Sequence, residues 1–272
     1  MNMKRVLTTV IGLPIIIAIL ILGNKYLIDF IVAFVGVIAM YEYSKACKQK
    51  EIKVIPWISY LSVFSIAFIH IVSIETLNFV VTLGVPIILV ILFLHAIVTN
   101  MKISFKDISY TLFGILYILC FLMFIALTYG IEGKYLGKIL IWYIFIAAWG
   151  TDIFAYLVGK HFGKHKFSKV SPNKTVEGCL SGVIATAIFS LIFTYFINKY
   201  MSYELSYITI FIISMILSVA GQIGDFSESV IKRYFDIKDT SNLFPGHGGM
   251  LDRIDSLMFI APFAYFLLTF FL

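Results

Sequence analysis

Nine apolar runs, each close to 20 residues long, limit the folds open to this chain. They cover roughly 6–23, 26–44, 54–73, 76–98, 108–129, 138–158, 178–198, 205–225 and 254–272. A helix needs about 20 mostly apolar residues to cross the hydrocarbon core of a bilayer. Within that core only helices and closed barrels satisfy their own backbone polar groups. The expected fold is therefore all-α: a polytopic integral membrane protein with about nine transmembrane helices. The runs at 54–73 and 76–98 lie so close together that a helical hairpin or a re-entrant pair also fits them.

The charge content agrees with a membrane protein. Only 13% of the 272 residues are charged, against about 25% in an ordinary soluble domain. The net charge of +6 does not point to nucleic acid, because the cations fall in the gaps between apolar runs. That placement suits loops facing an anionic lipid surface. With nine crossings and a cytoplasmic N-terminus, only Lys25, Lys134, Lys138 and Lys199 of the 21 cations fall outside, as the positive-inside rule requires. The C-terminus is then outside. The first run, Val6 to Gly23, lacks a small-residue cleavage site and reads as retained. Cys47, Cys120 and Cys179 show neither metal-ligand nor disulfide spacing.

Against this background the stretch 221–255 stands out. It holds Asp225, Glu228, Asp236, Asp239, Asp252 and Asp255, six of the 15 acidic residues, beside Lys232, Arg233, Lys238, His247 and Arg253. Ionisable groups at membrane depth mark functional sites by default. If the eighth helix continues past Ala220, then Asp225, Glu228, Ser229 and Lys232 share one face, at i, i+3, i+4 and i+7. The loop that follows contains Pro245-Gly246 and Gly248-Gly249, which favour tight turns and unusual backbone angles. Gly246, Gly248 and Gly249 would let backbone N–H groups approach an anion. Asp252 and Asp255 come next, three apart at the start of the last helix, where they also suit the positive helix end. Carboxylates hold hard divalent cations, and Lys and Arg neutralise phosphate. Together they read as a metal-assisted phosphate site.

A second polar cluster begins at Asp152, inside the sixth run, with Tyr156 one turn on. It continues into Ser171-Pro172-Asn173-Lys174-Thr175-Val176-Glu177-Gly178. Pro172 can occupy the first turn of the seventh helix, and a helix start carrying a lysine and two hydroxyls is an anion site. A plain capped helix start is the alternative, as is a clasp between Asp152 and a cation on another helix. In the first half, Asp29 and Glu42 read as residues near span ends. His70 and His95 read as hydrogen-bonded structural histidines.

Two stretches carry a family resemblance. One runs Ser229-Val230-Ile231-Lys232-Arg233, then Lys238-Asp239, then Phe244-Pro245-Gly246-His247-Gly248-Gly249-Met250-Leu251-Asp252-Arg253-Ile254-Asp255. The other is the Ser-Pro-x-Lys-Thr-x-Glu-Gly segment at 171–178, which follows the Asp-x-x-Ala-Tyr helix at 152–156. Both closely resemble the phosphatidate cytidylyltransferases (CDP-diacylglycerol synthases). The resemblance implies a reaction of CTP with phosphatidate that gives CDP-diacylglycerol and pyrophosphate. It implies Asp225, Asp252, Asp255, Lys232, Arg233, Lys238, Arg253 and His247 as catalytic residues. For substrate binding it implies Ser171, Asn173, Lys174, Thr175, Glu177, Ser229, Asp239, Gly248 and Gly249.

Asp225 and Asp252 are the expected ligands of Mg²⁺, or of Mn²⁺ in its place, with Asp152 and Asp255 as supporting or second-metal ligands. A second, monovalent cation is left open, and so is a homodimer. The chain is expected to be one membrane domain over 1–272, with N-terminal helices over 1–135 and catalytic helices and cytoplasmic loops over 136–272. The expected location is a bacterial plasma membrane, with the active site facing the cytoplasm. A CTP-dependent lipid kinase and a secondary transporter remain as alternatives.

Overall fold

The computed structural model describes residues 3–133, 136–168, 170–201, 203–244, 246 and 248–271. Among them are nine α-helices and no strand. The helices are α1 (Met3–Leu22), α2 (Lys25–Lys48), α3 (Pro56–Phe64), α4 (Ile74–Val98), α5 (Phe105–Tyr129), α6 (Leu136–Phe162), α7 (Val176–Met201), α8 (Tyr207–Tyr234) and α9 (Leu251–Phe271). Seven are long and apolar enough to cross a membrane: α2, α4 from Glu75, and α5 to α9.

The third helix departs from expectation. After Phe64 it tightens into a 3₁₀ turn over Ser65–Phe68, so Pro56–Phe68 spans only about 20 Å at 1.5 Å per residue. The cause lies in the next turn. Asp29, fully buried in α2, accepts from the backbone N–H of His70 at 3.2 Å, and its carboxylate lies 2.8 Å from the His70 ring Nδ1. That anchor turns the chain back, and Ser73 then caps α4 by accepting from Thr76 N–H. His70 thus has the structural role expected of it.

The chain divides into two compact units. The first comprises residues 3–130 and 234–253, so the loop after α8 falls with the N-terminal helices. The second comprises 131–233 and 254–271.

In the first unit α2 packs on α3, the 3₁₀ turn and α5. Close approach needs glycine at Gly36, where a Cβ would lie 2.6 Å from Val63 Cγ1. Ser104 and Asp107 form a reciprocal capping box at the start of α5, and Asp107 also accepts from Lys53 N–H at 2.7 Å.

In the second unit α6 and α7 pack along their length through small residues. A Cβ at Gly182 would lie 2.9 Å from the Thr151 carbonyl, the close contact that membrane helices use to gain dispersion energy. Hydroxyls line the same faces. Thr151 Oγ1 lies 3.0 Å from Thr186 Oγ1 and 2.6 Å from Ser218 Oγ on α8, and Tyr143 OH lies 2.8 Å from Thr194 Oγ1. Gly224 brings α8 against α9, since a Cβ there would lie 2.6 Å from the Asp255 carbonyl.

Candidate active site

The polar residues of the second unit gather around Lys174. α8 runs unbroken to Tyr234, so Asp225, Glu228, Ser229 and Lys232 do share a face. Glu228 is fully buried, and its Oε2 accepts from Lys232 Nζ at 2.6 Å. Asp225 Oδ2 is ion-paired with Lys174 Nζ, both side chains being about one quarter exposed. The Lys174 ammonium also sits over the Phe226 ring, 4.7 Å from its centroid, and Phe226 stacks on Phe167.

The loop that delivers Lys174 is fixed at its base. Glu177 accepts from the backbone N–H groups of Lys164 and His165 and pairs with His165 Nδ1 at 2.6 Å. Phe167 N–H donates to the Lys174 carbonyl at 3.0 Å. The seventh helix starts at Val176, five residues after Ser171, because Thr175 is the cap. The Thr175 side chain accepts from Gly178 N–H at 3.2 Å. Pro172 sits in the preceding turn, outside the helix. Thr175 and Glu177 therefore hold the loop in shape, while Ser171 and Asn173 lie in the turn beside Lys174.

Burial pushes the Lys174 ammonium below its ordinary pKa, and the carboxylates of Asp152 and Asp255 pull it back up. Those two acids, from α6 and α9, thus act on the cation that pairs with Asp225. Asp255 also lies close to Glu228. Two carboxyl groups that meet must share a proton or a cation between them. This donor set of hard oxygens suits a divalent metal ion. Among the described residues, no three His, Cys, Asp or Glu side chains already stand at metal-binding spacing, and Asp225 gives one oxygen to Lys174.

Asp252 belongs to the first unit, where it organises the glycine loop. Its Oδ2 accepts from Thr240 N–H at 2.9 Å, Thr240 Oγ1 at 2.8 Å and Gly249 N–H at 2.7 Å. Gly248 takes φ +80°, in the left-handed region that favours glycine. At Gly249 a Cβ would lie 2.6 Å from both Glu42 carboxylate oxygens. The glycines thus approach the chain's own carboxylates. Arg233, Lys238, Asp239 and Arg253 are exposed, and His247 lies outside the described residues.

The sequence reading put Glu42 near a span end and did not single out Thr240 or Ser241. Glu42 is buried in α2 and binds Thr240, Ser241 and the start of α9. A carboxylate inside an apolar run was the available signal.

Residues 3–271 match the Cytidylyltransferase family. The chain belongs to this family. The chain is also similar to the phosphatidate cytidylyltransferase of Bacillus subtilis (strain 168), with 32% identity over 98% of both chains. A phosphatidate cytidylyltransferase of Staphylococcus haemolyticus (strain JCSC1435) is 31% identical over 97% of this chain and 98% of its own. One from Staphylococcus aureus (strain COL) is 35% identical over 64% of each. In this cytidylyltransferase, Asp152, Lys174, Asp225, Glu228, Lys232 and Asp255 form one charged cluster in the second unit.

Proposed function

We propose that this protein transfers the cytidylyl group of CTP to phosphatidate, giving CDP-diacylglycerol and pyrophosphate. The observation that carries the reading is Lys174, half-buried among Asp152, Asp225 and Asp255 in a member of the cytidylyltransferase family. A phosphatidate oxygen, already anionic near neutral pH, bonds to the α-phosphorus of CTP as the bond to pyrophosphate breaks. No strong base and no covalent enzyme intermediate are needed. The task is to bring two polyanions together and stabilise the leaving group, which positioning and electrostatics accomplish.

Lys174 and Lys232 neutralise phosphate in this scheme, and the exposed Arg233, Lys238 and Arg253 are the candidate contacts for CTP. Asp225 and Asp255, supported by Asp152, are the proposed Mg²⁺ or Mn²⁺ ligands within the second unit, while Asp252 holds the glycine loop of the first. When bound, the divalent ion supplies charge stabilisation at the phosphates. Beside Phe226 lies a cleft of about 530 Å³ lined by Phe167, Val176, Leu180, Val183, Ile223 and neighbours. Its apolar walls suit a lipid acyl chain, with the lipid phosphate turned toward Lys174. The distribution of cations between the apolar runs supports a site on the cytoplasmic side of the plasma membrane.

The test is incubation of the purified protein in detergent with radiolabelled CTP, phosphatidate and Mg²⁺. Label extracted into the organic phase as a liponucleotide, with pyrophosphate released, is the expected result. Release of CDP in place of pyrophosphate would mean phosphoryl transfer and would reject the reading.

A further inference from the structure

We infer that Glu42 is a positioning residue for the loop after α8, and through it for CTP, although it lies 198 to 209 positions away in sequence. It is 1% exposed, and a carboxylate buried in an apolar helix is costly unless donors surround it. Here the donors come from the loop after α8 and the first turn of α9. Oε1 accepts from Ser241 Oγ at 2.5 Å and Met250 N–H at 2.9 Å. Oε2 accepts from Leu251 N–H at 2.8 Å and lies 3.1 Å from Thr240 Oγ1.

Met250 and Leu251 carry N–H groups at the start of a helix, where no intrahelical partner exists. Glu42 therefore caps α9 from a different helix, and its negative charge suits the positive helix end. The loop is shaped around it, because Gly249 has no room for a Cβ against the Glu42 oxygens. Thr240 joins Glu42 to Asp252: its Oγ1 lies within hydrogen-bond reach of both carboxylates. Glu42 thereby sets the loop and the rotation of the turn that carries Asp252 and Arg253. The inference rests on the proposed role of this loop's Lys238, and of Arg253 just after it, in contacting CTP.

The experiment is steady-state kinetics on purified Glu42→Gln, Ser241→Ala and Lys238→Ala, varying CTP and phosphatidate separately, with thermal melting of each variant. In Glu42→Gln the amide NH₂ group faces either the Ser241 hydroxyl and Met250 N–H or Leu251 N–H, and neither side can then keep all its donors. The expected result is a CTP KM raised about tenfold, the loss of one charge-assisted hydrogen bond, with the phosphatidate KM within about twofold. Ser241→Ala shifts the CTP KM the same way by less, and it decides the matter if Glu42→Gln does not fold. A CTP KM unchanged in both variants, while Lys238→Ala raises it, overturns the role of Glu42 and leaves the loop's assignment standing. Lost activity that only tracks lost folded protein, at constant CTP KM, also overturns it. If Lys238→Ala leaves the CTP KM unchanged as well, the loop does not hold CTP and the inference falls with that assignment.

Discussion

Lys174 faces opposing demands: its surroundings are dry enough to disfavour its charge, yet three carboxylates need that charge. Replacing it with Met should lower kcat/KM for cytidylyl transfer on the order of 10²-fold to 10³-fold, the scale of losing one preorganised electrostatic partner. Lys174→Arg, which keeps the charge, should lose less, and radiolabelled CTP incorporation measures both. A second prediction concerns Gly249. A methyl there must displace the Glu42 carboxylate, so Gly249→Ala should cost about 1–3 kcal/mol through overpacking, read as a lower melting temperature in detergent. Gly12, where a Cβ meets nothing within 4 Å, is the control and should tolerate Ala. Lys174, Asp225 and Asp255 were legible in the sequence because charge is rare among apolar runs. Glu42 carried the same signal but sat near a run's end, where solvation seemed a sufficient reason for it. Nothing in the linear order says that Ser241 and Leu251 fold back onto α2.

The helices themselves were legible from hydropathy, since a run long enough to span the core has few other folds open to it. Two boundaries were not. α3 stops short because Asp29 captures His70, a contact between residues 41 apart that no window average detects. α7 starts at Val176 because the Thr175 hydroxyl outcompetes Ser171-Pro172 as a cap, a choice made by the fold of the 163–175 loop. Within the second unit, Thr151 links α6 to both α7 and α8 through Thr186 and Ser218. Thr151→Val removes two interhelical hydrogen bonds and should destabilise the protein by about 0.6–1.7 kcal/mol, the range for such bonds in membranes. Denaturant titration in mixed micelles checks this value.

Across the whole molecule, the positive-inside count depends on whether the short Pro56–Phe68 segment contributes a crossing. With nine crossings, the N-terminus and the loop after α8 share the cytoplasmic side. In a background lacking Cys47, Cys120 and Cys179, Lys238→Cys should resist a membrane-impermeant thiol reagent in intact cells and react in inverted vesicles, while Lys25→Cys should do the reverse. The most direct test of the proposed chemistry is cytidylyl transfer by Asp225→Asn, measured as label from CTP entering the lipid phase across a Mg²⁺ titration. We expect activity in the native protein to require the divalent ion. In the variant it should fall on the order of 10²-fold or more at saturating Mg²⁺, with melting showing the protein still folded. Native rates from Asp225→Asn at every Mg²⁺ concentration would contradict the idea that this carboxylate grips the cation between the two phosphorylated reactants.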